Sequence, residues 1–239
     1  MFDMRLFHTY IFAALLLCTS CDDGDIYNEN KNVNREGATL KLTGKLHGAD
    51  QWNEEYTLVI AAFEEGNEYA INAKNIPASI NGKEAATTLS GITSNAKTLE
   101  LCVINRLRER IASFASVENS SDGDTIKMEV GEINVGMHSA IQKTIFNTTC
   151  AHCHGANAKE GVANLSLTAS NSYNALVGRE SYKAAGKMLV APGDAENSLL
   201  YEILTTDRSK EWNYDHSKEI LSKSRLNLLK GWIESGAPQ

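Results

Sequence analysis

The hydrophobic pattern of this 239-residue chain changes period once, near Gly136, and that change bounds what the chain can fold into. Before it, apolar side chains recur at every second position: Leu40, Leu42 and Leu46 in one run, then Leu58 and Ile60 on one face with Val59 and Phe63 on the other. A period of two belongs to a strand that turns one face to a core. Runs of the same kind cover residues 69–74, 85–89, 99–104, 111–117 and 126–135, divided by turn formers such as Asn81 with Gly82 and the stretch Ser121, Asp122, Gly123, Asp124. Seven short strands within residues 37–136 predict a β-sandwich. After Met137 the period becomes helical, with Ile141 and Ile145 at i, i+4 and Phe146 beside them. The expected fold class is therefore α+β in two domains, an all-β sandwich over 37–136 followed by an all-α domain over 137–239.

Composition narrows the partners. Lys and Arg total 23 against 30 Asp and Glu, a net charge of −7, so the basic footprint of a nucleic-acid binder is missing. Five cysteines, at 18, 21, 102, 150 and 153, then carry most of the chemistry. Cys102 lies in the apolar run Leu99, Glu100, Leu101, Cys102, Val103, where a thiol behaves as a small buried hydrophobe. His47, beside Gly48 at a strand end, reads as a surface turn residue.

Cys150, Ala151, His152, Cys153 and His154 form C-x-x-C-H. Four chemistries use two thiols at this spacing. A thioredoxin-like pair opens a helix after a strand in a βαβ unit, whereas this pair closes an amphipathic run. A structural zinc ion needs four ligands, and no second C-x-x-C or H-x3-5-H pair follows. A plain disulfide leaves the adjacent His154 without a purpose. Covalent attachment of c-type haem uses all three residues: each thiol adds to one vinyl group of the porphyrin, and the next residue presents imidazole to the iron.

Several further stretches, in order along the chain, resemble a small monohaem cytochrome c domain of the planctomycete-type group. They are Phe146 four residues before Cys150, Gly161 through to Leu167, Tyr173 with Leu176 and Gly178, the run Pro192, Gly193, Asp194 to Tyr201, and the terminal Gly231, Trp232, Ile233. The resemblance implies that the second half is an all-α class I cytochrome c-like domain carrying one covalent haem c. It also implies that His154 is the proximal ligand and that Phe146 and Trp232 pack where the first and last helices cross. By their own local chemistry Asp194 and Ser222 are candidate N-caps and Gly236 a stop signal. Relatives commonly take the sixth ligand from a Met-Pro-Pro-like loop before the last helix, and here that loop has no methionine. His216 is the strong ligand within it, Met188 is a second candidate, and an open sixth position is the third reading.

The amino terminus resembles an export signal of bacterial lipoproteins. Arg5 precedes an apolar core over residues 9–17, and Cys18, Thr19, Ser20 and Cys21 resemble a lipobox, so residues 1–20 are read as signal peptide and Cys21 as the lipidated first residue. Two or more acyl chains give stable anchoring. Asp22, Asp23 and Asp25, followed by the Asn-rich stretch to residue 36, form a tether. The acidic cluster also resembles a surface-export signal of Bacteroidetes-type lipoproteins, which places the chain at the cell envelope, on the outer membrane. These features suit an electron carrier that meets a redox partner protein at the membrane. Two other classes stay open: a haem-based ligand binder or peroxidase-like protein, which needs a vacant sixth position, and a β-sandwich recognition module tethered to a redox assembly.

Overall fold

A computed structural model describes residues 37–120, 125–155 and 162–239. The signal peptide over 1–20, Cys21, the tether over 21–36 and the Ser121 to Asp124 turn lie outside the described residues. Seven strands form two sheets. In the first, β1 (Ala38–His47) lies between β4 (Glu84–Ile92), to which it is antiparallel, and β7 (Thr125–Asn134), to which it is parallel. The second is antiparallel throughout and runs in the order β3 (Asn72–Asn75), β2 (Tyr56–Phe63), β5 (Thr98–Asn105), β6 (Arg110–Glu118). The alternating runs of the sequence fall within or across these strands. Leu40 and Leu42 of β1 and Leu58, Ile60, Leu99, Leu101 and Val103 of β2 and β5 enter one shared core.

β2 and β5 are buried on both faces, which explains why they read as nearly continuous apolar runs. Their outer residues Val59, Ala61, Phe63, Cys102 and Ile104 make a small second cluster with Ala70. Arg108 donates to the carbonyl of Ala70, and Arg110 stacks over Phe63 at 4.8 Å while pairing with Glu68 and the buried Glu100. Cys102 is a free, fully buried thiol, and burial pushes its pKa well above the usual range. His47 Nε2 sits 2.7 Å from Glu132 and is an ordinary surface partner.

Gly44 shows how tightly β1 and β7 approach. Its φ is +147°, and a Cβ there would stand 2.6 Å from the Gly131 carbonyl oxygen, at the register shift between the two strands. Only glycine accepts that geometry without displacing backbone.

The structure corrects the expected fold class. It is mainly β, and no all-α class I cytochrome c-like domain is evident. The helices after β7 are few and short: α1 (Met137–Ile141), α2 (Ser172–Leu176), α3 (Leu199–Thr205), α4 (Ser209–Trp212) and α5 (Lys223–Glu234). Their buried faces, including Ile141, Leu176, Leu204, Leu229 and Trp232, belong to the same core as β1 and β2, within one compact unit covering 35–239. The physical reason is interruption. α1 passes after five residues into a π turn (Gln142–Phe146), α2 and α3 end at the extended residues Val177 and Thr206, and α4 ends at left-handed Asn213. Only α5 has twelve residues; it begins at Ser222, whose hydroxyl accepts from Arg225 N, and is followed by Gly236 at φ +91°.

Asp194 is not a helix cap. Its carboxylate accepts from Asn197 N in a preceding turn, and Ser198 occupies the N-cap position of α3. Among the described residues, no helix is long and apolar enough to cross a membrane.

Candidate functional site

The C-x-x-C-H segment forms a tight turn directly after the π turn. Residues Cys150–His152 are one 3-10 turn, and the amides of Cys153 and His154 both donate to the Cys150 carbonyl, at 3.2 and 2.8 Å. This winding brings Cys150, Cys153 and His154 onto the wall of one cleft. His216 lines the same cleft from a second 3-10 turn (His216–Lys218) between α4 and α5. That turn is held by Asp215, whose carboxylate accepts from Ser217 N, and α4 ends in left-handed Asn213 just before it. Leu165, Leu189, Leu199, Leu200, Ile203 and Leu204 supply apolar wall. The space between these walls is about 1040 Å³ when the part open to solvent is counted.

His154 is oriented by backbone. Its Nδ1 lies 3.2 Å from the Leu165 carbonyl oxygen. A carbonyl only accepts, so in the neutral ring Nδ1 carries the proton and Nε2 keeps its lone pair. The carbonyl reaches this position because Ala163 and Asn164 both adopt left-handed backbone, at φ 66° and 55°. Two successive non-glycine residues there are uncommon and store strain, which is typical of a segment shaped for a site.

His216 differs. Its Nδ1 is buried with no hydrogen-bond partner among the described residues, a cost of about 1–3 kcal/mol. Trp212 and Tyr214 meet the ring edge-on at 6.3 and 4.8 Å, and the Tyr214 hydroxyl donates to Glu219. Burial first, and the neighbouring His154 second, push the His216 pKa down, so the neutral imidazole that binds metals is the favoured form.

In comparisons with known proteins, no family model, no curated protein and no solved structure matches the chain. The chemistry of the site therefore rests on its geometry. Of the two distal candidates, His216 lines the cleft, while Met188 is 42% exposed on a bridge with Glu180 and is not part of the lining. Cys150 is half-buried, and burial, with Glu219 adding to it, pushes its thiol up to about 11. That is the opposite of the lowered pKa an attacking thiolate of the thioredoxin type requires. Cys150 and Cys153 are both free thiols. Among the described residues, no three His, Cys, Asp or Glu side chains converge on a common point.

The residues present fit a covalently held haem. Two thiols one turn apart and two imidazoles line the cleft, one ring nitrogen, His216 Nδ1, lacks a partner among the described residues, and much of the remaining wall is apolar. Sequence reasoning found the cysteines and both histidines. It missed Leu165, whose contribution is a backbone carbonyl, and the buried polar side chains His138, Gln142 and Ser172 behind the site. The one signal for them is that three polar residues occupy core-facing helix positions.

Proposed function

We propose that the protein is a lipid-anchored electron carrier of the bacterial envelope with one covalently bound haem c, meeting a redox partner protein at the outer membrane. The observation that carries the reading is the presence of Cys150, Cys153, His154 and His216 on a single apolar cleft. When bound, haem c supplies a one-electron iron couple. The chain's own residues would do the rest: Cys150 and Cys153 would hold the ring covalently, Leu165 O orients His154, His154 and His216 would be the iron ligands, and the leucine wall would exclude water and lower the local dielectric.

The test is maturation in a host with haem-ligation machinery. Acid-acetone extraction should leave the colour on the polypeptide, and replacing Cys150 and Cys153 with Ala should release it. Quantitative extraction of haem from the wild type would overturn the reading.

The anchor is tested separately. Cys21→Ser should move the protein from the membrane fraction to the soluble fraction or leave an uncleaved precursor, because the proposed anchor is the acylated cysteine. An unchanged membrane partition would remove Cys21 from that role.

A further inference from the structure

Behind the cleft lies a chain of buried polar groups whose proton positions can be assigned completely. Gln142 Nε2 is 3.0 Å from the Leu167 carbonyl oxygen and 2.7 Å from Asn147 Oδ1. Because a carbonyl only accepts, the amide nitrogen must face Leu167, which leaves Gln142 Oε1 toward Ser172. Ser172 Oγ, 2.6 Å from Oε1, must then donate its one proton to it. Its lone pair is left to accept from His138 Nε2, at 3.2 Å. The backbone joins the same arrangement, since the Gln142 carbonyl accepts from Asn147 N at 2.8 Å across the π turn. Ser172, Gln142 and His138 are 0, 6 and 8% exposed, so the bonds of Ser172 to Gln142 and His138, and of Gln142 to Leu167, form away from water.

This chain ends on the segment that orients His154. Leu167 N donates to the His154 carbonyl at 2.7 Å, and two residues earlier Leu165 O accepts from His154 Nδ1 at 3.2 Å. That segment directly follows the left-handed pair Ala163 and Asn164, whose strain an outside hold on the segment helps to offset. Gln142 is the side chain that reaches it from α1 and the π turn.

We infer that Gln142, supported by Ser172 and His138, is a positioning residue for the proximal imidazole, and that it tunes the reduction potential by fixing the Leu165 to Leu167 segment against His154. The inference rests on the haem reading above. A hydrogen bond from Nδ1 to a carbonyl raises the basicity of the ring and favours the oxidised metal. Loosening that bond therefore raises the potential.

The experiment compares the matured wild type with Gln142→Met, Ser172→Ala and Leu42→Ala. Gln142→Met keeps length and volume but removes both amide protons and the acceptor. It should raise the midpoint potential, shifting the reduction equilibrium several-fold, and should speed exchange of the Leu167 amide. Ser172→Ala removes one link and should shift the potential in the same direction by less, which keeps the test open should Gln142→Met fail to accumulate. Leu42→Ala cuts a cavity in β1, remote from this chain of bonds, and should lower the melting temperature with no shift in potential. Unchanged potentials in Gln142→Met and Ser172→Ala, or an equal shift in Leu42→Ala, would overturn the positioning role while leaving the haem reading intact. Failure of the wild type to bind haem covalently would overturn both, and is seen before any variant is compared.

Discussion

Replacing His216 with Ala should convert a low-spin protein into a high-spin form that binds carbon monoxide rapidly, whereas the wild type should bind it slowly or not at all. The expectation follows from the walls of the cleft. His154 supplies one imidazole with Nδ1 committed to Leu165 O, and His216 supplies the other, kept neutral by burial and by its neighbour. Among the described residues, His154 and His216 are the two imidazoles that line the cleft, Lys183 lines it with an amine, and Met188 lies outside the lining. Truncating His216 would thus remove the one imidazole besides His154 that lines the cleft among the described residues. Optical spectra of both oxidation states and carbon monoxide mixing measure the change. Two results redirect the assignment. If His216→Ala keeps the wild-type spectrum while Met188→Ala loses it, the distal role passes to Met188 and electron transfer survives. If the wild type is itself high-spin, a ligand-binding or peroxidase-like function takes precedence. A His/His pair also predicts a lower potential than a His/Met pair, because methionine ligation raises it.

Strand positions were legible because burial imposes a strict period on them. Leu40, Leu42 and Leu46 cannot all reach the core of β1 unless the intervening residues point away, and Val59 with Phe63 revealed that β2 has a second buried face. What covers that face was not legible, since it depends on Arg108 and Arg110 folding back to Ala70, Glu68 and Phe63, contacts with no periodic signature. The class of the second half was misread for a related reason. Ile141 with Ile145, and Leu200 with Leu204, satisfy the helical spacing over one turn, but spacing alone does not set length: the first segment passes into a π turn and the second ends at extended Thr206. Ser222 capped its helix as its neighbours implied, while Asp194 was drawn into a local turn by Asn197.

The candidate site divides in the same way. Cys150, Cys153 and His154 announce themselves by spacing, and His216 by being the strong ligand in its loop. The groups that aim them do not. A carbonyl such as Leu165 O has no residue type attached to it. His138 and Gln142, four residues apart, look like the polar stripe of an amphipathic helix, yet α1 is buried on that stripe too because α2 and α5 close over it. Polar residues at buried helix positions are retained where they bond to one another, and here Gln142 also bonds to the segment beside His154.

His138 also makes acid stability predictable. Its ring is enclosed by Phe146, Tyr173 and Trp232 at 6.3, 5.3 and 5.5 Å and donates to Ser172, so burial holds it neutral and depresses its pKa to about 4. In the unfolded chain the same ring titrates near ~6.5. Between these values the unfolded state binds a proton that the folded state does not, so stability is complete above pH ~6.5, falls as the pH drops toward ~4, and stops changing on this account below that. A separation of about 2.5 units at ~1.36 kcal/mol each corresponds to a loss of about 3 kcal/mol, a large part of the ~5–15 kcal/mol that holds a typical domain folded. The carboxyls of Glu132, Asp207 and Asp215 are also held low, by hydrogen bonds from His47, Ser209 and Ser217, and because carboxyls start from a lower value their contribution is lost only at more acidic pH. The window between pH ~6.5 and ~4 is thus dominated by the buried ring. His138→Gln keeps an N–H for Ser172 but cannot be protonated, and denaturant unfolding measured across that window should show a much flatter profile for the variant than for the wild type. Parallel profiles would mean that His138 is already charged in the folded protein and that burial does not depress its pKa.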